Sequence, residues 1–337
     1  MKRFFILHSS FFISLLLASC SIMDYEGDCT PYYRARFTYD HHLHYSDAFA
    51  GQVQSVALYA FDEGGRYVAC FRDRGEALAR EGYTLPVDLP AGRYHFVAWC
   101  GLEDERQSHA VPTLQPGTST LSDLTCTVQR EHADGTTATA GELAPAFHSL
   151  VTDVELTDTY GTHYIDIPLV KDTKTVRVVL QHLDGSPVPA DRFTFNIACA
   201  NGLMAHDNSL LPDEVLNYRP YYTASGTAET QADGTRATTS ISTALAEMST
   251  GRLVWDNGTP ATLSVTNNET GQVVLSIPLM DYALLVKGYY NRDMPDQEYL
   301  DRQDEYNLTF FLDENNRWVS STIIINSWRV VLSEEEL

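Results

Sequence analysis

Apolar and polar residues alternate with a period of two early in the chain, where Tyr33, Ala35, Phe37 and Tyr39 fall on one side and Arg34, Arg36 and Thr38 on the other. Successive side chains of a strand point to opposite faces, so this pattern predicts half-buried sheet. Residues 53–61 predict a second strand. Asp62-Glu63-Gly64-Gly65 turns it into a third at 67–71, the paired glycines supplying the positive φ that a hairpin turn needs. Leu89-Pro90-Ala91-Gly92 then delivers a strand over 93–100, with Tyr94, Phe96 and Ala98 facing opposite to His95, Val97 and Trp99. Residues 121–130 continue the series.

Between about residues 131 and 146 the composition turns to Ala, Thr, Gly and Pro, and strands resume at 150–156 and 164–169. A boundary near Val170 separates a second half in the same style, with strands at 175–180, 193–198, 262–266, 273–278, 306–312 and 320–332. Helix is expected only over 281–287 and where Pro295 suits a first helical position, with Asp296 and Glu298 in the first turn. Short strands at regular spacing indicate an all-β fold, two antiparallel β-sandwich domains in tandem over 31–170 and 171–337.

The N-terminus breaks this style. Lys2 and Arg3 precede a stretch over 4–18 that is apolar but for His8, Ser9, Ser10 and Ser14. As a helix it would span about 22 Å, short of the roughly 30 Å hydrocarbon core, so it reads as a signal, not a span. It ends in Leu17-Ala18-Ser19-Cys20, the tetrapeptide a lipoprotein signal peptidase reads before cleaving ahead of a diacylglyceryl-modified cysteine. The expectation is a signal over 1–19, lipid on Cys20 holding the mature chain on a membrane, and an acidic tether over 20–30.

Without Lys2 and Arg3 the mature chain keeps 21 basic residues against 45 acidic ones, a net charge near −24 that repels phosphate backbones and excludes nucleic acid as a partner. Apart from Cys20, the cysteines are Cys29, Cys70, Cys100, Cys126 and Cys199, without CxxC spacing. They permit up to two disulfides, while Cys70 and Cys100 also read as small buried hydrophobes.

His41, His42 and His44 beside Asp40 and Asp47 do not share a strand face, so a polar loop is expected there and no metal. Asp293, Asp296, Glu298, Asp301, Asp304 and Glu305 lack the spacing of a calcium loop and read as a solvated acidic helix face. No GxSxG elbow, activated cysteine or glycine-rich phosphate loop appears, so neither an enzymatic activity nor a cofactor is expected.

Val274-Leu275-Ser276-Ile277-Pro278-Leu279, Asp296-Gln297-Glu298-Tyr299-Leu300-Asp301, Glu305-Tyr306-Asn307-Leu308-Thr309-Phe310-Phe311-Leu312 and Ile325-Asn326-Ser327-Trp328-Arg329-Val330 carry a family likeness. With Val56-Ala57-Leu58-Tyr59-Ala60-Phe61-Asp62 and Leu89-Pro90-Ala91-Gly92-Arg93-Tyr94, the chain resembles the FimB/Mfa-type fimbrial anchor lipoproteins of Bacteroidales. The likeness is weakest over 104–150 and 219–240. It implies two transthyretin-like sandwiches in a lipoprotein that sits at the base of a fimbrium, tethers it to the outer membrane and limits its length. It also likens the stretch after Cys20 to the export signal for the outer face of that membrane, a reading that stands beside a plain solvated linker.

The implied partner is a fimbrial shaft subunit, joined when a strand of one chain completes the sheet of another. Residues 322–332 are one candidate joining element, with Ile324, Trp328, Val330 and Leu332 on one face; the same pattern serves a last core strand. The first strand, 32–39, is the other. In polymerising relatives a protease trims the N-terminal strand, a cut that would here remove Cys20, so the strand is expected to stay. Two alternatives remain: a surface lipoprotein that binds glycan or host ligand through Tyr221-Tyr222 and Tyr289-Tyr290 in loops, and a tip or accessory fimbrial subunit.

Overall fold

The computed structural model describes residues 30–331 apart from 104, 134, 140, 232–237, 256, 257 and 259. The fold is all-β. The period-two segment at the start forms the strand Pro31–Thr38, which lies between Gly161–Pro168, in parallel, and Leu85–Val87, antiparallel. Its buried side, Tyr33, Ala35 and Phe37, continued by Tyr39, packs on a five-stranded sheet ordered Val170–Lys171, Phe147–Leu156, Gly92–Cys100, Ser55–Asp62 and Tyr67–Arg74.

Both faces of that second sheet are covered, which explains why Ser55–Asp62 shows no alternation. Val56, Leu58, Ala60, Phe96 and Ala98 face the first strand, whereas Ala57, Tyr59, Phe61, Val97 and Trp99 lie under Leu114, Leu124, Cys126 and Met204. The expected hairpin after Asp62 forms, with Gly65 at φ +74° and Asp62 Oδ1 accepting from Arg66 N at 2.9 Å. Gly101 at the end of Gly92–Cys100 has φ +80°, and a Cβ there would fall 1.8 Å from the Pro145 carbonyl oxygen.

The C-terminal half packs two six-stranded sheets on one core. One runs Tyr222–Gln231, Thr238–Thr250, Lys174–His182, Glu305–Leu312, Trp318–Ile325, Trp328–Val331. The other runs Val273–Pro278, Thr262–Asn267, Phe193–Cys199, Leu216–Tyr218, Thr136–Thr139, Glu131–Ala133. Val176, Val178 and Leu180 meet Phe195, Ile197, Leu263 and Val265 between them. The Ala/Thr-rich stretch after residue 130 is thus paired sheet, and it crosses to the other half, Asn217 and Tyr218 lying in parallel register with Ala138 and Thr139. Residues 121–130 hold a single turn, Leu121–Asp123, and a three-residue strand, Cys126–Val128, in place of the longer strand expected.

Four short α-helices occur among the described residues: Phe49–Gln52, Leu279–Leu284, Gly288–Asn291 and Asp296–Arg302. Pro295 is the N-cap of the last, one position earlier than the sequence suggests.

Candidate docking edges and a buried ionic seam

The run expected as one strand over 320–332 is a hairpin. Trp318–Ile325 ends where Asn326 and Ser327 take φ +47° and +71°, and Trp328–Val331 returns beside it with Ile325 opposite Trp328 and Ile323 opposite Val330. Two positive φ values make this a type I′ turn, and Asn tolerates that conformation best of the non-glycine residues. Asn326 is fixed further because its Oδ1 accepts from Asn307 N at 2.7 Å.

The turn inverts the parity of the pattern. Opposed residues share a face, so Trp328 and Val330 lie on the side of the buried Ile323 and Ile325, while Ile324 lies with Arg329 on the other. Ile324, Trp328 and Val330 therefore do not share the single face that a continuous strand would give them. Leu332 and Cys20 lie outside the described residues.

Trp328–Val331 closes its sheet, and among the described residues nothing pairs with its outer side. In a two-residue hairpin the closing pair is hydrogen-bonded, so the Arg329 and Val331 backbone groups point outward. Trp328 and Val331 are 67% and 66% exposed, and the exposed Arg329 supplies the one charge on this edge. Val273–Pro278 is likewise an edge strand of the facing sheet, with Leu275 and Ile277 buried and Val273 exposed. A cleft of about 470 Å³ lies between Ile277, Pro278, Tyr282, Leu285 and Trp318. Trp318 stands edge-on to Phe310 with centroids 5.5 Å apart. The arrangement is apolar side chains beside unpaired backbone, the requirement for accepting a strand from another chain.

The first strand is engaged on both sides, and withdrawing it would expose Tyr33, Ala35, Phe37 and Tyr39. Tyr222 begins an edge strand opposite Glu247, and Tyr221 Oη donates to Glu247 Oε2 at 3.4 Å, so this pair borders a sheet and not an open loop. Tyr289 and Tyr290 sit in the helix Gly288–Asn291.

The acidic cluster is only partly a solvated face: Asp293 and Glu305 are exposed, whereas the others are engaged by basic or hydroxyl partners. Asp301 is buried and takes Arg252 Nε and Nη2 at 2.8 and 2.6 Å. Lys287 pairs with Asp296 at 2.7 Å and Arg302 with Glu298 at 2.9 Å. Tyr39, which directly follows the first strand, donates its hydroxyl to Asp304 Oδ2 at 2.7 Å, and Lys171 Nζ lies 3.7 Å from the same oxygen. Lys174, with no solvent contact at its side chain, donates to the Asp301 carbonyl at 2.7 Å and sits 3.8 Å from Asp304 Oδ1. Asn208 Nδ2 donates to Asp172 Oδ1 at 2.8 Å. Burial pushes the Asp172 carboxyl up to about 7 against the pull of Arg252, and burial draws the Lys174 ammonium below its usual range. These groups join the first strand to the C-terminal half through paired charge. Sequence reading missed the seam because its members run from residue 39 to 304, and each charge taken singly resembles surface.

His42 spends its ring on its own loop, Nε2 lying 2.8 Å from the Ser46 carbonyl and Nδ1 accepting from His44 N at 3.2 Å. Among the described residues no group of three His, Cys, Asp or Glu side chains is placed to hold a metal. Cys70, Cys100, Cys126 and Cys199 are free thiols, and burial pushes Cys100 and Cys199 up to about 12, leaving them inert as nucleophiles.

A family model of fimbrillin-A associated anchor proteins, Mfa1 and Mfa2, matches residues 25–334. The chain belongs to this family of fimbrial anchor proteins. A candidate adhesin from Bacteroides thetaiotaomicron is 31% identical over 90% of this chain and 99% of its own, with a TM-score of 0.80. A candidate polysaccharide binding protein from the same organism is 33% identical over 91% of this chain and 99% of its own, with a TM-score of 0.77. The fimbrial anchor protein Mfa2 of Porphyromonas gingivalis shares the fold, with a TM-score of 0.65 and 18% identity over 90% of this chain and all of that one. No curated protein matches. Membership makes this a fimbria-associated protein of the cell surface, in a family of structural rather than enzymatic proteins. No described helix is long and apolar enough to cross a membrane.

Proposed function

We propose that the protein anchors a fimbrium at its base, held in the outer membrane by lipid on Cys20, and that it limits fimbrial length by ending the strand-mediated chain of subunits. The observation that carries this reading is the exposed apolar edge Trp328–Val331, which offers outward backbone groups next to Trp328 and Val331 on a member of an anchor family. The shaft subunit is the partner, and its strand adds to this edge. The first strand remains in place because the lipid lies on its N-terminal side, eleven residues before Pro31. The N-terminal and C-terminal halves, which exchange strands over 126–139 and 203–218 and are tied by the ionic seam, act as one body, so that force on the fimbrium reaches the lipid through a stiff joint.

Deleting the gene tests this directly. Fimbriae should appear in the medium, longer than normal, while subunit synthesis continues. Fully attached fimbriae of ordinary length in the deletion strain would end the proposal. Glycan binding is the second reading, favoured by the likeness to the candidate polysaccharide binding protein, and glycan arrays on the mature chain separate the two.

A further inference from the structure

The three-stranded sheet built on Pro31–Thr38 has one side on the core and the other open to solvent. On the open side the register sets Tyr32 beside Thr162, Arg34 beside Tyr164 and Arg36 beside Asp166, and Tyr160 directly precedes Gly161, the partner of Pro31. Tyr32, Tyr164 and Tyr160 are 49%, 53% and 74% exposed, so three of the five strongly exposed tyrosines among the described residues meet on this one face.

Its charge departs from that of the chain. The open strand positions carry Arg34 and Arg36 against Asp166, and with Asp88 and Asp158 in the bordering loops the region stays near neutrality on a mature chain near −24. Arg36 Nη2 lies 2.6 Å from Asp166 Oδ1, and its guanidinium carbon lies 4.9 Å from the Tyr164 ring centroid. Arg34 donates from Nε to Thr84 Oγ1 at 2.6 Å and from Nη2 to the Thr84 carbonyl at 3.2 Å, which holds its side chain along the sheet.

We infer that this face lies against the zwitterionic phospholipid headgroups of the membrane that holds Cys20. The inference rests on the lipid reading above, because Pro31 follows Cys20 by eleven residues and even a fully extended chain of that length reaches only about 40 Å. The sheet that starts at Pro31 is therefore kept close to the bilayer. Tyrosine suits that layer, its ring meeting acyl carbon while its hydroxyl meets water and phosphate. Arginine pairs with lipid phosphate and the bordering carboxylates with the headgroup ammonium, a match that a uniformly acidic surface would not offer.

The test is tryptophan quenching on the acylated full mature chain, reconstituted in phosphatidylcholine vesicles with and without bromine on the upper acyl carbons. Tyr160→Trp should lose more emission to brominated lipid than the parent or Tyr222→Trp, which alters an exposed tyrosine of the C-terminal half. Adding Arg34→Glu and Arg36→Glu to Tyr160→Trp should remove that extra quenching at unchanged flotation with the vesicles. A chain that floats without extra quenching at Tyr160→Trp, extra quenching that the two glutamates leave unchanged, or emission that responds to purified fimbriae instead of lipid overturns the inference and leaves the acyl anchor standing. A chain that does not float overturns both.

Discussion

Replacing Arg252 by methionine isolates the seam. Arg252 and Asp301 have side chains only 14% and 9% exposed and meet in two bonds of 2.8 and 2.6 Å, a bidentate geometry that solvent barely screens. Removing one partner of a buried pair costs about 3–5 kcal/mol, chiefly because the remaining charge is left uncompensated. Asp301 keeps one donor, Gln297 Nε2 at 3.0 Å, which places the loss near the lower end, about 3 kcal/mol. For a chain of this size that lowers Tm by roughly 4–5 °C. Arg252→Met/Asp301→Leu, which removes both charges, should recover most of it. Differential scanning calorimetry on the full mature chain reads both variants. A single variant within about 1 kcal/mol of the parent, or a double variant less stable than the single one, would refute the reasoning.

Asp172 gives the seam a pH dependence. Its carboxyl is raised to about 7, so the folded state holds a proton that the unfolded chain has already lost; this contribution is full below the ordinary carboxylate range and vanishes as pH rises through about 7. Asp172→Asn should gain on the parent between pH 4 and 8, by up to roughly 4 kcal/mol, in urea titrations; an advantage that does not grow with pH contradicts this. His148, lowered by burial to about 4, works oppositely and loses stability as pH falls below 6.5, so acid lability should persist in that variant. Gly101→Ala should cost at least about 3 kcal/mol, because its Cβ meets the Pro145 carbonyl oxygen at positive φ, whereas Gly51→Ala, with open space around it in a helix, should be neutral or stabilising by about 0.5 kcal/mol; equal Tm values for the two variants would contradict the pair. Val331→Pro removes an outward-pointing N–H without touching the hairpin's own bonds, so circular dichroism should be unchanged while fimbrial subunit no longer co-purifies; retained co-purification argues against this edge.

Much of the fold was legible because half-buried strands carry their period in the open: the sides of Pro31–Thr38 and the two faces of Gly92–Cys100 follow from alternation alone. The long hairpin Tyr222–Gln231 and Thr238–Thr250 did not, since Thr, Ser and Ala alternate without an apolar signal even where Ala244, Ala246 and Met248 reach the core. The C-terminal hairpin was hidden for another reason. Asn326-Ser327 is a weaker turn signal than Asn-Gly, and the apolar run on either side reads as unbroken alternation although the turn reverses its parity. The seam stayed invisible because charge gives no sign of burial until distant partners meet, as Tyr39 and Asp304 do.

The central claim, a lipid-held chain whose edge receives a fimbrial subunit, is tested most directly by mass spectrometry of the N-terminus of the protein recovered from outer membranes together with its bound fimbriae. The account predicts a chain starting at an acylated Cys20, co-purifying with the shaft subunit. An unacylated N-terminus, or one that begins after Tyr39, would contradict it.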